Sequence, residues 1–540
     1  MFDAIIIGAG ISGLYQLYTL RKLGLSVRVI EEAADIGGTW YWNRYPGARF
    51  DSESYTYGYS FSKELLQDWS WSEHFASQPE TLRYLNHVAD RFDLRRDIQF
   101  NSRVRAARYV EKDNCWDVEL ENGEKQRARF LITALGLLSA HTLPRIEGRD
   151  TFKGEAYHTA RWPHHPVSFE GKRVGVIGTG ATGIQVIQTI APWVKELVVF
   201  QRNPNYVVPL FNGPITDDEQ KDIKARYDEI LAACRRNAGQ FMHPPDPRSL
   251  LEVTPEEREA KFEKLYYDRG MGLLQGNFRD ITTNRESNAI ITEYVKRKMR
   301  ERIKDPAVAK KLIPKNHTFG TRRLPLETNY LEAYNRDNVK LIDLKETPIE
   351  RINETGVKTT DAEYELDMLI FATGFDAITG AFDRIDIRGR NNISLKEKWG
   401  EGPVTYLGLT SADFPNLFTI IGPHNAGVRC NVPRCIEQNV EWIADFMRHA
   451  RDNHIVAIEA SAEAENDWTQ QVRAMGETML FFQIDSFLTG INTNIDGKNV
   501  RRVLQYLGGA PQYRAKCDEV AAAGYAGFAL QREGMDARRG

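Results

Sequence analysis

The sequence predicts an α/β protein made of two parallel-sheet units, with a helical insertion inside the second. Two observations lead to this prediction. An apolar strand at residues 4–7 runs directly into a glycine turn and a helix, and the same arrangement returns at residues 174–183. Residues 217–314 instead carry apolar positions at three- and four-residue spacing among many charges, which is typical of surface helices. At 540 residues the chain is long enough for two or three domains.

The overall composition narrows the functional classes. A formal net charge of −3 shows no excess of basic residues of the kind that would indicate nucleic-acid binding. The longest strongly apolar run, near residues 131–138, is too short to cross a bilayer, and the chain starts on a strand pattern without a charged leader. Five cysteines without Cys-x-x-Cys spacing predict neither a disulfide framework nor a metal site. We therefore expect a cytoplasmic protein with no nucleic-acid, membrane or metal partner.

The first unit carries a phosphate-binding turn. Gly8, Gly10 and Gly13 stand in Gly-x-Gly-x-x-Gly spacing, with Ser12 at the helix start, so backbone N–H groups can face a pyrophosphate. The next strand, at residues 27–30, ends at Glu31, close to the offset of about 20 residues that such folds use for an acid. A carboxylate accepts hydrogen bonds from a ribose and repels a 2′-phosphate, so this unit is expected to bind FAD.

A loop at residues 37–51, rich in glycine and aromatic residues, follows the acid. Its rings offer flat apolar surface for a ring-shaped cofactor, and Arg49 and Asp51 place opposite charges at one end. An ordinary aromatic surface loop fits the composition equally well, but the position after Glu31 favours the cofactor. A helix at 77–92 and strands near 98–104, 116–120 and 128–133 complete this part of the unit.

The second unit repeats the first with the charge reversed. Gly178, Gly180 and Gly183 form its turn, and the strand at 197–200 leads to Arg202 where the first unit has Glu31. A guanidinium pairs well with a 2′-phosphate, so this unit should prefer NADP(H), although a surface arginine is the alternative. We thus predict two Rossmann-like dinucleotide-binding domains, FAD first and NADP second.

The remaining segments extend these two units. Helices are predicted at 217–235, 256–267 and 284–303, returning strands at 339–342, 366–371 and 417–421, and a further helix at 436–449. Arg322 and Arg323 fall on a loop beside a proline, where a solvated charge pair is the ordinary interpretation. The predicted divisions are 1–140 for the FAD domain, 141–171 for a linker, 172–216 for the NADP domain, 217–319 for the insertion, 320–384 for the rest of the NADP domain, and 385–540 for the rest of the FAD domain with a mobile loop near 485–509.

Two longer signatures lie around these turns. Residues 152–163 read Phe-x-Gly-x-x-x-His-x-x-x-Trp-Pro, and residues 37–51 read Gly-Gly-x-Trp, then Tyr-Pro-Gly and a final Asp. From residue 5 to about residue 528 the chain resembles the type I Baeyer–Villiger monooxygenases, class B flavoproteins. The resemblance implies FAD, NADPH and O2, with a ketone converted to an ester or lactone through a C4a-peroxyflavin. It also leads us to expect a monomer or a weak homo-oligomer.

The resemblance also implies roles for individual residues. Arg323 would be the catalytic arginine that stabilises the peroxyflavin, and Asp51 the carboxylate that positions it. His158 and Trp162 would be hinge residues between the domains. The implied FAD contacts are Gly8, Gly10, Ser12, Gly13, Glu31, Thr39, Trp40, Asp51, Tyr57 and Val104. The implied NADP contacts are Arg49, Thr179, Gly180, Thr182, Gly183, Gln185, Arg202, Asn203, Arg322 and Phe487.

Several positions depart from the family pattern. Phe487 stands where relatives usually have tryptophan, Asn203 replaces a common threonine, and Asp496 replaces proline in a loop two residues longer than usual. Arg429 occupies an often apolar position of the substrate loop.

Three other classes were weighed against the Baeyer–Villiger prediction. A class B monooxygenase acting on nitrogen or sulfur is disfavoured by the Trp-Pro ending and Arg323. A pyridine nucleotide–disulfide reductase is disfavoured because no redox cysteine pair is recognised. An NADPH-sensing flavoprotein scaffold is the non-enzyme alternative.

Overall fold

The structure is a computed structural model that describes residues 1–533, without the side chains of residues 428 and 429. Within that part of the chain, no helix is long and apolar enough to cross a membrane. The strands are β1 (Phe2–Ile7), β2 (Val27–Ile30), β3 (Ile98–Gln99), β4 (Val104–Val110), β5 (Cys115–Leu120), β6 (Lys125–Thr133), β7 (Glu155–His158), β8 (Arg173–Ile177), β9 (Glu196–Gln201), β10 (Val208–Pro209), β11 (Leu326–Glu327), β12 (Val339–Asp343), β13 (Ile349–Ile352), β14 (Gly356–Thr359), β15 (Glu363–Glu365), β16 (Met368–Phe371), β17 (Asp386–Arg388), β18 (Leu417–Thr419), β19 (Ile455–Ala460) and β20 (Phe528–Arg532).

The helices cover the sheets and build the insertion. They are α1 (Ile11–Lys22), α2 (Thr39–Trp42), α3 (Ser54–Tyr57), α4 (Lys63–Asp68), α5 (Gln78–Arg91), α6 (Ala181–Ile190), α7 (Asp217–Ala225), α8 (Tyr227–Arg236), α9 (Pro255–Tyr267), α10 (Gly272–Gln275), α11 (Arg285–Glu301), α12 (Pro306–Leu312), α13 (Tyr330–Ala333), α14 (Leu395–Lys398), α15 (Val432–Asp452), α16 (Ala462–Glu477) and α17 (Ala510–Ala522).

The first sheet has the strand order β17-β4-β5-β6-β1-β2-β3, with β18 also paired to β6. Its centre is parallel, since β1 lies between β2 and β6 in the same direction, while β4 and β5 are antiparallel. Ile5 and Ile6 are fully buried on opposite faces of β1, as expected for a strand covered on both sides. The predicted return of residues 417–421 to this sheet is confirmed by the pairing of β18 with β6.

The second sheet is parallel throughout, in the order β12-β9-β8-β16-β7. Its edge strand β7 lies inside the segment predicted to be only a linker, and His158 pairs across from Phe371. The prediction missed this strand because four residues at a sheet edge carry too little hydrophobic alternation to be recognised. The signature segment is therefore part of the second sheet and fixes where the chain crosses from one sheet to the other.

Two predicted elements are divided in the structure. The single strand expected at 98–104 is two strands, because Asn101 adopts a left-handed conformation (φ 51°) between β3 and β4. The helix expected at 217–235 is interrupted at Arg226, whose backbone (φ −110°, ψ 14°) leaves the helical region and separates α7 from α8. The prediction of a helical insertion is otherwise confirmed by α7 to α12.

The cysteine prediction was partly wrong. Cys430 and Cys435 are buried in the first core, and the structure joins their sulfur atoms in a disulfide that the spacing did not predict. Because a cysteine pair is present, the argument from sequence against a disulfide reductase no longer holds. The site and the relatives decide that question instead. Cys115, Cys234 and Cys517 are free and buried. Within the described residues, no cluster of histidine, cysteine and acidic side chains is arranged to hold a metal ion.

Candidate active site between two dinucleotide-binding units

The first glycine turn leaves the start of α1 open. Gly8 has φ 107°, and a Cβ atom there would lie 2.6 Å from the carbonyl oxygen of Ala134, so only glycine fits. Within the described residues, no side chain caps α1 at Gly10, and Ser12 and Gly13 are buried in the first turn. The free N–H groups at this helix start suit the pyrophosphate of a dinucleotide.

Glu31 lies at the mouth of this turn and is 5% exposed. Its carboxylate accepts hydrogen bonds from the backbone N–H of Ala9 at 2.6 Å and of Ala33 at 2.8 Å. Burial raises the pKa of Glu31, while these two bonds act in the opposite direction and favour the ionised form. Each carboxylate oxygen can accept a further hydrogen bond, so Glu31 fits the ribose of an unphosphorylated adenosine.

The aromatic loop forms a packed wall beside the first turn. Thr39 begins α2, and the Trp40 indole N–H donates to the Tyr57 hydroxyl at 3.2 Å. The Tyr57 ring stacks on Phe50 with centroids 4.0 Å apart. Val104, at the start of β4, is 3% exposed and lies in the core beneath the first sheet. Trp40 and Phe50 are buried within this wall, and their contact with a cofactor ring stays a prediction.

The second turn has the same construction. Gly178 has φ 110°, and no side chain of the described residues caps α6 at Gly180. Gly183 is buried in the first turn of α6, where a Cβ atom would strike the backbone of Gly178. The Thr179 hydroxyl donates to the carbonyl oxygen of Asn203 at 2.9 Å, which ties the turn to the loop that carries Arg202.

Two arginines lie together beyond this turn. Burial, followed by the charge of neighbouring Arg202, lowers the pKa of Arg322. Neither guanidinium forms an ion pair with any carboxylate among residues 1–533. Instead Arg202 Nη1 donates to Thr493 Oγ1 at 2.9 Å, and Arg322 Nη2 donates to the carbonyl oxygen of Asp485 at 3.0 Å. Two adjacent cations without an acidic partner are suited to a phosphate dianion.

Arg323, by contrast, turns towards the first unit. Its Nη2 atom donates to Asp51 Oδ1 at 2.5 Å, and its Nη1 atom donates to the carbonyl oxygen of Leu324. The Asn205 amide donates to the carbonyl oxygen of Arg323 at 3.0 Å and fixes the backbone from the second unit. The Asp51 side chain is 17% exposed and that of Arg323 is 38% exposed. The two charges therefore meet at the junction of the units, with one face of the guanidinium still open.

The aromatic loop also contacts α6 directly. The Tyr45 hydroxyl donates to Gln185 Oε1 at 2.8 Å, and Gln185 Nε2 donates to the carbonyl oxygen of Arg49 at 3.0 Å. Thr182 hydrogen-bonds the same tyrosine. The Arg49 guanidinium donates to Glu73 Oε2 at 3.1 Å, a partner that the sequence analysis did not identify. These contacts join the segment that carries Asp51 to the helix of the second turn.

The signature residues His158 and Trp162 lie behind this junction. The His158 Nδ1 atom accepts from the backbone N–H of Ala160 at 3.1 Å, and its ring lies 4.9 Å from that of His141. Burial, with a smaller contribution from His141, lowers the pKa of His158 to about 4. The ring is therefore neutral at pH 7, which suits a structural role better than that of an acid or base. Trp162 is 6% exposed and packs on Tyr157.

Residues 485–504, which we call the strap, cover the second unit. Phe487 begins a short turn of helix that packs beside Ala377 and Ile378. Lys498 anchors the other end, with Nζ at 2.7 Å from Asp376 Oδ1 and 3.2 Å from Asp383 Oδ2. Sequence reasoning missed this anchor because the partners lie more than a hundred residues away along the chain. The side chain of Arg429 lies outside what the structure describes, so its predicted place in the substrate loop is not assessed.

Two uncapped glycine turns, with an acid beside one and a pair of arginines beside the other, fit a protein that binds two different dinucleotides. Residues 3–213 match the family described as flavin-binding monooxygenase-like. The chain is 48% identical to 2-oxo-Delta(3)-4,5,5-trimethylcyclopentenylacetyl-CoA monooxygenase from Pseudomonas putida, over 98% of each protein. It is 44% identical to cyclohexanone 1,2-monooxygenase from Acinetobacter sp., over 100% of this chain and 98% of that one. A crystal structure of OTEMO with FAD and NADP superposes with a TM-score of 0.94 at 48% identity, covering 98% of this chain and 99% of that one.

The chain is also 43% identical to a Baeyer-Villiger monooxygenase from Pseudooceanicola batsensis, over 97% of this chain and 95% of that one, and it belongs to the Baeyer–Villiger monooxygenase family. It is an FAD- and NADPH-dependent oxidoreductase that uses O2 to convert a ketone to an ester or lactone. The fold class, the cofactors and the enzyme class predicted from the sequence are confirmed.

Proposed function

We propose that Arg323 is the catalytic residue of this Baeyer–Villiger monooxygenase and that Asp51 positions it. The observation that supports this assignment is the 2.5 Å ion pair between them, which joins the aromatic loop of the first unit to the loop that returns into the second. Asp51 and the Leu324 carbonyl oxygen use two of the five N–H donors of Arg323, so three remain to stabilise a developing negative charge. Arg322, one residue earlier, points away to the strap and serves a different purpose.

FAD, when bound, supplies the oxygen-transfer chemistry by taking hydride from NADPH and activating O2. The chain's part is to bind, orient and stabilise charge. Negative charge develops as oxygen is transferred to the ketone carbonyl, and a fixed guanidinium beside it lowers the barrier by about 2 kcal/mol once solvent screening is included. Because Asp51 holds Arg323 before the reaction begins, little reorganisation is needed at that moment. Packed rings such as Trp40 and Phe50 exclude water from the same space.

The first unit supplies the proposed FAD site. The start of α1 would receive the pyrophosphate, Glu31 the ribose, and the aromatic wall the ring system. Val104 would contribute through its backbone, since its side chain is packed in the core. The proposed contacts are Gly8, Gly10, Ser12, Gly13, Glu31, Thr39, Trp40, Asp51, Tyr57 and Val104.

The second unit supplies the proposed NADPH site. The start of α6 would receive the pyrophosphate and the Arg202–Arg322 pair the 2′-phosphate. Arg49, held by Glu73 and bonded through its carbonyl oxygen to Gln185, would contact the nicotinamide end. The proposed contacts are Arg49, Thr179, Gly180, Thr182, Gly183, Gln185, Arg202, Asn203, Arg322 and Phe487.

We further propose a cytoplasmic enzyme that works as a monomer or weak homo-oligomer, with the domain divisions predicted above. Three buried free cysteines suit a reducing compartment, whereas the Cys430–Cys435 disulfide does not, so the proposal rests on the sequence prediction of a cytoplasmic protein. The relatives' substrates include a cyclopentenyl CoA ester and cyclohexanone by name, so a cyclic ketone is the first substrate class to examine.

A ketone panel tests the function. Purified holoenzyme is given NADPH and small cyclic, aromatic or steroid ketones, while NADPH and O2 consumption and product mass are recorded. We expect at least one ketone to stimulate both consumptions and to yield an ester or lactone. Oxidation of amines or sulfides alone, with no ester from any ketone, would favour the nitrogen- or sulfur-oxidising class instead.

A further inference from the structure

The strap meets the second unit at the two arginines that have no acidic partner. Arg202 is exposed and Arg322 is half-buried, and each donates one hydrogen bond to the strap, at Thr493 and at the Asp485 carbonyl. A guanidinium has five N–H donors, so most donors of both residues remain for a phosphate. The strap therefore lies against the same groups that would bind the 2′-phosphate.

The polar side chains around this site differ in whether they have a hydrogen-bond donor left for a phosphate. Thr179 uses its proton on the carbonyl oxygen of Asn203, and the Asn203 side-chain oxygen accepts from Asn316 at 3.0 Å. Thr493 accepts its bond from Arg202, which leaves its own proton free. Thr493 thus carries an available hydroxyl donor beside Arg202.

We propose that Thr493 is a specificity-determining residue for NADPH, which holds Arg202 and donates its hydroxyl to the 2′-phosphate when the strap is closed. This inference rests on the proposed assignment of Arg202 and Arg322 to the 2′-phosphate. NADH lacks that phosphate and gains nothing from the hydroxyl. Closure of the strap and binding of the 2′-phosphate are consequently linked, and each favours the other.

The part of the strap around Asp496 and Lys498 is held by ion pairs that do not involve the nucleotide phosphate. Lys498 is anchored by Asp376 and Asp383, and its side chain is 14% exposed. Arg145 pairs with Asp496 at 2.7 Å, also away from the arginine pair. The strap therefore has one phosphate-independent attachment and one attachment that a 2′-phosphate would strengthen. This division supplies a matched control within the same segment.

The test is nucleotide binding to oxidised holoenzyme, measured by titration calorimetry with NADP+ and with NAD+. We expect Thr493→Val to weaken NADP+ about tenfold and leave NAD+ unchanged, and Thr493→Ser to restore NADP+ binding. Lys498→Met should weaken NAD+ as well as NADP+, because it loosens the whole strap, whereas Thr493→Val should act on NADP+ alone. Equal loss of both nucleotides in Thr493→Val, or no loss of either, would overturn the inference.

Two further measurements distinguish a failure of this inference from a failure of the proposed 2′-phosphate site on which it rests. Arg202→Gln should abolish the preference for NADP+ over NAD+. If it does not, the 2′-phosphate site is elsewhere and both proposals fail; if it does while Thr493→Val has no effect, only the role of Thr493 fails. In hydrogen exchange, NADP+ should slow the amides of residues 486–493 more than NAD+ does, and Thr493→Val should remove that difference.

Discussion

Replacing Arg323 by alanine should separate NADPH oxidation from ester formation. A guanidinium about 4 Å from a developing negative charge contributes about 4 kcal/mol at an effective dielectric constant of about 20. The Arg323 side chain is 38% exposed, so solvent screening reduces this to roughly half, about 2 kcal/mol. That free energy corresponds to a roughly 30-fold slower oxygen transfer. Flavin reduction by NADPH should proceed, with its electrons released as H2O2.

The assay compares ester formed, H2O2 formed and NADPH consumed in the same reaction mixture. Arg322→Ala is the matched control, since the neighbouring guanidinium faces the strap and should raise the KM for NADPH while ester per NADPH stays near the wild-type value. Lys in place of Arg323 keeps the charge but loses the fork that Asp51 holds, so we expect an intermediate ratio. Ester formation by Arg323→Ala within threefold of wild type would refute the assignment.

The remaining predictions concern the linker, the anchor of the strap and acid stability. His158→Ala should increase the fraction of NADPH lost to H2O2. If the ester formed per NADPH is unchanged, His158 only packs in the linker and is not a hinge residue. Asp383→Asn weakens the Lys498 anchor and should raise H2O2 leakage several-fold without releasing FAD, as followed by flavin absorbance. Burial lowers the pKa of His424 to about 4, whereas the unfolded chain binds that proton near pH 6.5, so stability should fall by about 3 kcal/mol as pH drops across this interval. The melting temperature between pH 7 and pH 4 should therefore fall less steeply in His424→Gln, and an equal slope would contradict the linkage.

The central architecture was predictable because its signals are local. Each turn places three glycines at fixed spacing after a buried strand, and the strand that follows ends at Glu31 in one unit and near Arg202 in the other. The charges at those two positions are the basis for predicting FAD in the first unit and NADP in the second. The predicted difference between the two cofactors depends on the charge that meets a 2′-phosphate and not on side-chain packing.

The features that the sequence did not predict depend on partners far away along the chain or on a single backbone angle. Lys498 finds Asp376 and Asp383 only after the strap folds back over the second unit, and nothing near Lys498 in the sequence signals that. The short edge strand β7 exists because β16 lies beside it. Asn101 ends β3 by entering the left-handed region, a conformation that asparagine tolerates but does not require. Arg323 needed the family resemblance, since a pair of arginines beside proline has no local chemical signature.

The same limitation applies to the cysteines. Spacing rules look for Cys-x-x-Cys, whereas Cys430 lies just before α15 and Cys435, five positions later, lies in the first turn of that helix. Their approach is set by the turn before the helix and not by the cysteine spacing itself.

Isotope labelling tests the central claim most directly. The holoenzyme, NADPH and a ketone that stimulates O2 consumption are incubated under 18O2, and the product is analysed by mass spectrometry. We expect an ester or lactone that carries one 18O atom, with one NADPH consumed for each product molecule. Product without 18O, or NADPH oxidation that yields only H2O2 with every ketone, would contradict it.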